Sequence, residues 1–167
     1  NSSNPSLDSQ RILVFITAEY PFGKQETFIE DEINFLSDAF DQVIVLPKNT
    51  PGSPRKMPKN CTIGAPCAQR SKPRNMVLFW NEILNLRGHL ARTKIAYRSW
   101  QGVGRRLAQI KASVHEVKGE IIYYSYWLDE GAVAIAQLAK SEGYLAVSRA
   151  HGWDVYPERH PHKYLPF

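Results

Sequence analysis

The sequence predicts an α/β fold in which a parallel sheet is flanked by helices. Three observations carry this. Short apolar runs without polar alternation, such as RILVFIT and QVIVLP, suit strands buried on both faces. Segments with apolar residues at helical spacing stand between these runs. The order strand, helix, strand recurs, which is the signature of parallel βαβ units.

The first strand is read at 11–17, followed by the loop AEYPFGKQ. A helix over 26–40 follows, with Ile29, Ile33, Leu36 and Phe40 on one face. Glu26, Glu30, Asp31 and Glu32 crowd its first turns, where carboxylates complement the helix dipole. The second strand is QVIVLP, 42–47. Residues 48–75 hold five prolines and no periodicity, so they read as one long loop. A helix over about 76–90 is apolar nearly all round, from Val77 to Leu86. A second, over about 93–117, carries Val103, Leu107, Ile110, Val114 and Val117 as a stripe. Gly102 and Gly104 allow a break in it. EIIYYSYW, 120–127, is the third strand. An Ala-rich helix at 129–143 starts at Asp129 and Glu130 and ends at Gly143, a C-cap position. YLAVSRA, 144–150, is the fourth strand.

Residues 1–10 read as a disordered lead-in, without the apolar core of a signal peptide, and 11–167 as one domain. No apolar run approaches the roughly 20 residues that cross a bilayer. Cys61 and Cys67 lie in the Pro-rich loop. Two cysteines make no disulfide framework and none of the Cys/His spacings suits zinc, so free thiols in a reducing compartment are expected and no metal.

Net charge is +5, but residues 48–118 hold fifteen Lys/Arg against Glu82 and Glu116. Such asymmetry points to an anionic partner or to a solvated basic face. Arg98, Arg105, Arg106 and Lys111 lie opposite the apolar stripe of the long helix and are the expected contacts to an anionic ligand or membrane.

In a parallel sheet, ligands bind at the carboxyl ends of strands. Three irregular stretches fall there: TAEYPFGKQET, SYWLDE and SRAHGWD. The first lacks both GxxxxGK[ST] and GxGxxG, which disfavours a nucleotide kinase and an ordinary NAD dehydrogenase. Its helix-opening N–H groups can still meet a phosphate or a sugar hydroxyl, while Glu26 and Thr27 can equally be caps. His151 is either a ligand-contacting group or a satisfied structural histidine, with Gly152 beside it admitting close approach. Asp154 orients His151 or caps a turn, and Arg149 faces a carboxylate of the acidic half. Trp127 and Trp153 are core residues or platforms for a sugar ring.

ILVFITAEYPFGKQETFIEDEINFLSDAFDQVIVLP resembles the opening of the N-terminal domain of bacterial family 4 glycosyltransferases of the GT-B type. IIYYSYWLDEGAVAIAQLAK followed by VSRAHGWDVYPER resembles the close of the same domain. The resemblance implies a Rossmann-like sheet, the acceptor-side half of a GT-B fold, whose nucleotide-sugar is held by a second domain beyond residue 167. It implies a retaining transfer of sugar from a nucleotide diphosphate-sugar to a glycan or lipid-linked acceptor, with no resident cofactor. By position it assigns His151 to catalysis, through hydrogen bonds and electrostatic stabilisation near the donor sugar and diphosphate. Tyr20, Gly23, Glu26, Thr27, Trp127, Arg149, Gly152 and Asp154 become substrate-binding candidates. Lys24 and Gln25 after Gly23 depart from the more glycine-rich form of many members, which puts close phosphate approach in question. A cytoplasmic place, peripheral on the inner membrane face, follows from such an acceptor. The alternatives are a nucleic-acid-binding module, disfavoured for want of a recognisable motif, and a non-catalytic sugar- or nucleotide-binding α/β domain.

Overall fold

A computed structural model describes residues 10–68, 76–86 and 88–167. It is an α/β fold with a five-stranded, all-parallel sheet in the order β3-β2-β1-β4-β5, flanked by helices in the Rossmann-like manner. The strands are β1 (Arg11–Thr17), β2 (Gln42–Pro47), β3 (Cys61–Ile63), β4 (Glu120–Ser125) and β5 (Leu145–Ser148). The helices are α1 (Ile29–Ala39), α2 (Met76–Asn85), α3 (Leu90–Val114), α4 (Glu130–Glu142) and the single turn α5 (Gly152–Val155).

The absence of polar alternation in β1 and β2 has its reason in the layers. Leu13, Phe15, Val43 and Val45 face α1 and pack with Ile29 and Ile33. Ile12, Val14, Ile16, Ile44 and Leu46 face the opposite way, onto Val103 and Ile110 of α3 and Ile135 and Leu138 of α4. Each such aliphatic side chain contributes about 1.5–3 kcal/mol on full burial.

Several expectations change. β3 lies inside the stretch read as a loop, where Val43, Ile44 and Val45 pair with Cys61, Thr62 and Ile63. Cys61 is therefore a buried strand residue, and both cysteines are free thiols. Residues 48–60 are pinned rather than loose: Arg55 donates to the carbonyls of Pro21, Phe22 and Gln25 and pairs with Glu30. The chain joins the sheet already at Gln10, whose carbonyl accepts from Glu120 N. The remainder of the expected lead-in, and 69–75 of the expected loop, lie outside the described residues. The long helix does not break. Gly102 is buried where a Cβ would meet Glu130 Cγ at 2.8 Å, so its missing side chain lets α3 lie against the start of α4.

Arg106 corrects the expected set of surface cations. It is 1% exposed, and its guanidinium caps strand ends by donating to Leu46 O (3.1 Å), Thr17 O (2.5 Å) and Gln109 Oε1 (2.8 Å). A group so enclosed touches neither membrane nor acceptor. Burial lowers its pKa, opposed chiefly by Asp129. Lys111 is exposed but pairs with Glu142 at 3.4 Å, Arg98 is exposed, and Arg105 is half-buried. Among the described residues, no helix is long and apolar enough to cross a membrane.

Candidate functional site

Because all five strands run parallel, the loops after β1, β4 and β5 emerge along one edge. The order turns at β1, whose neighbours are β2 and β4, so the switch point lies between the loops after β1 and β4. The side chains there are tied to one another across loops.

Glu26 is the first tie. It is 5% exposed, with φ +55°, a left-handed conformation unusual for a residue with a side chain. Its carboxylate accepts from three consecutive backbone N–H groups, Ala18 (3.1 Å), Glu19 (2.7 Å) and Tyr20 (2.7 Å). It also accepts from Trp127 Nε1 at 2.5 Å. A carboxylate has about four acceptor positions, so Glu26 is saturated. Its expected role in substrate binding does not hold, and neither does its place in the helix: α1 begins at Ile29. The N–H groups after β1, which a phosphate would need, already hold an anion.

The second tie runs through aromatic rings. Trp127 lies 4.5 Å from the His151 ring, and Tyr126 stacks on His151 at 5.1 Å and 28°. Phe28 stacks on the other ring of this pair, Tyr126, at 5.2 Å and 17°. Asp154 Oδ2 accepts from His151 N (3.0 Å) and Leu128 N (3.3 Å) and lies 3.4 Å from His151 Nδ1. Asp154 thus does both things expected of it: it caps a turn and orients the imidazole. Among the described residues none hydrogen-bonds Nε2 of His151. With Nδ1 turned to Asp154, a neutral ring offers Nε2 as a proton acceptor and a protonated ring offers it as a donor.

Arg149 faces a carboxylate as expected. It donates to Glu32 Oε2 at 2.7 Å and Tyr126 Oη at 2.9 Å, with its guanidinium 4.9 Å above the Tyr126 ring. Tyr124 Oη donates to Glu32 as well, at 2.7 Å. Burial and the Glu32 carboxylate push the Tyr124 phenol up.

The other candidates stand differently. Tyr20 is a core residue, packed with Leu13, Ile29 and Ile33 under the Arg55 guanidinium, and burial raises its phenol to about 12. Its edge lines an open groove of about 500 Å³ between α1 and residues 55–58, which His151 does not reach. Gly23 has φ +65°, a left-handed turn conformation that favours glycine, and a Cβ there would also crowd the flexible Glu19 carboxylate. Thr27 is exposed and caps with its carbonyl, which accepts from Glu30 N at 3.0 Å. Gly152 keeps an ordinary φ, and a Cβ would meet the flexible Arg159 Nη1 at 3.1 Å and the Tyr156 ring at an ordinary 3.6 Å; close backbone approach does not demand it. Trp153 is exposed, with His160 against it at 4.8 Å.

The start of α4 also faces this edge. Asp129 is its N-cap and accepts from Gly131 N at 2.7 Å, and Glu130 pairs with Lys48 at 2.8 Å. Burial raises the Asp129 pKa, with Glu130 adding and Arg106 opposing. At this second helix start a carboxylate of the chain thus already takes one of the first-turn N–H groups.

Sequence reasoning missed Phe28, Glu32 and Tyr126. Glu32 was readable only as a member of an acidic first turn, and Tyr126 only as a strand residue. Comparison of the chain with models of protein families and with curated proteins finds no match.

Proposed function

We propose that the chain is the acceptor-side, N-terminal half of a retaining GT-B glycosyltransferase, which moves sugar from a nucleotide diphosphate-sugar to a glycan or lipid-linked acceptor. The observation that carries this reading is His151 itself. Its ring is clamped between aromatic side chains and Asp154 while Nε2 stays open at the strand edge. A ring held in this way suits a hydrogen bond to a sugar hydroxyl or a leaving phosphate oxygen.

The filled anion positions support the acceptor-side assignment. Glu26 occupies three N–H groups after β1 that could otherwise meet a phosphate, and Asp129 takes Gly131 N at the start of α4. A nucleotide diphosphate then belongs on the facing domain, and the sheet edge at His151 receives hydroxyl groups. Trp127, with its N–H committed to Glu26, offers only its ring to a sugar. Alignment of the two substrates across such a cleft supplies much of the rate.

The test is His151→Ala in the two-domain enzyme that this reading requires. Transfer turnover should fall about 100-fold or more while the thermal melt is unchanged. Parental turnover would remove His151 from the mechanism. A reading frame without a second Rossmann-like domain after residue 167 would remove the half-enzyme assignment.

A further inference from the structure

We propose that the outer face of α2, together with the adjoining basic face of α3, docks onto an anionic lipid surface. α2 is fixed from its inner side. Phe79 stacks on Trp100 at 4.8 Å and 25° and meets Tyr97 edge-on at 5.9 Å. Tyr164 Oη donates to Glu82. What this leaves outside, beside the exposed Asn81 and Asn85, is an apolar row. Val77, Trp80 and Leu84, at helical spacing, are 67%, 54% and 74% exposed. Met76 extends the row, and Leu90, at the start of α3, is 84% exposed. An apolar row of this length turned to solvent marks an interaction surface.

Charge decides what covers it. Lys94 and Arg98 are exposed, and with Leu90 and Tyr97 they share one side of α3 by helical spacing. Tyr97 touches Phe79, so that side adjoins α2. The surrounding segment carries fifteen cations against two acids. A symmetric contact with a second copy would set Lys94 and Arg98 against themselves. A nucleic acid would satisfy the cations but leave Val77 and Leu84 in water. An anionic bilayer accepts both: Trp80, Leu84 and Leu90 enter the headgroup boundary while Lys94 and Arg98 meet phosphates. Of the cations expected from sequence, Arg98 serves here and Lys94 joins it, whereas Arg106 is buried and Lys111 is paired. Docking of this kind needs neither sugar donor nor acceptor, so it stands apart from the transfer reading.

The experiment is co-sedimentation of the chain with phosphatidylcholine vesicles, with and without phosphatidylglycerol. Binding is expected only when phosphatidylglycerol is present. Trp80→Ser with Leu84→Ser should lower the partition coefficient about tenfold or more. Lys94→Ala with Arg98→Ala should lower it about fivefold per charge at low salt. Trp80→Phe keeps an apolar ring and should retain binding, and His151→Ala should bind like the parent. Circular-dichroism melts check that each variant is folded. The proposal is overturned by no binding to phosphatidylglycerol vesicles, by equal binding to phosphatidylcholine alone, or by either double variant, folded, binding like the parent. Salt-sensitive oligonucleotide binding without vesicle binding would overturn it in favour of nucleic acid. A dimer that the Trp80/Leu84 variant dissolves, again without vesicle binding, would overturn it in favour of a second copy.

Discussion

Trp127 Nε1 donates to Glu26 Oε1 across 2.5 Å and 101 positions of sequence. This bond ties the loop after β1 to the loop after β4 beside the switch point of the sheet. Trp127 in turn lies against His151, so one carboxylate sets the position of the ring that flanks the imidazole.

Glu26→Gln removes that control without changing the backbone residue class. An amide oxygen accepts about two hydrogen bonds, where the carboxylate takes four, and the amide NH₂ faces other donors. Stability should fall by about 2–4 kcal/mol from the N–H groups left unpaired. Urea unfolding followed by fluorescence reads this directly. An unchanged midpoint would mean that the loop N–H groups find other partners.

Arg106 and Arg149 should respond in opposite ways. Arg106→Met orphans the carbonyls of Thr17 and Leu46 in the interior, at a cost of about 3–5 kcal/mol. Arg149→Met breaks a pair with Glu32 that solvent partly screens, at a cost below about 1 kcal/mol. Equal losses in the two melts would contradict the burial contrast between them.

Asp129 carries a pH dependence whose sign follows from its environment. Its folded pKa is raised from the usual 3.8, mainly by burial. The folded state then holds a proton that the unfolded state has released. This contribution is fully present below about pH 3.8 and is lost as pH rises through the raised folded value. Asp129→Asn keeps a good N-cap and has nothing to titrate. Its stability should therefore fall less than the parent's as pH rises from 4 toward neutrality, in about equal steps of denaturant titration. A parallel fall in both proteins counts against Asp129 as the source.

The sequence made β1 and β2 legible because both faces of each are covered, which erases alternation and leaves continuous apolar runs. The helix α4 was legible from Asp129 and Gly143, its two caps. β3 was not, since three residues among prolines hold no period and the strand exists only through its register with β2. Arg106 was misplaced by its neighbour Arg105: adjacent positions on a helix point about 100° apart. Its spacing from Val103 and Ile110, three and four residues, puts it with the core stripe, and that signal was available. Glu26 gave no such warning. An acidic residue before a helix reads as dipole complement, and nothing local announces a left-handed backbone that turns it back onto the preceding loop. The convergence of Tyr126, Trp127 and His151 comes from sheet order, which pairs β4 with β5.

A tethered anion has consequences that a free one does not. Glu26 sits at its site at a fixed effective concentration, never diluted and never washed away. A phosphate arriving from solution would have to displace a competitor that is part of the chain, whereas an uncharged polyol displaces nothing. On the proposed reading, the loop after β1 therefore disfavours a phosphate before any recognition of shape begins, because its N–H groups are already bound to Glu26.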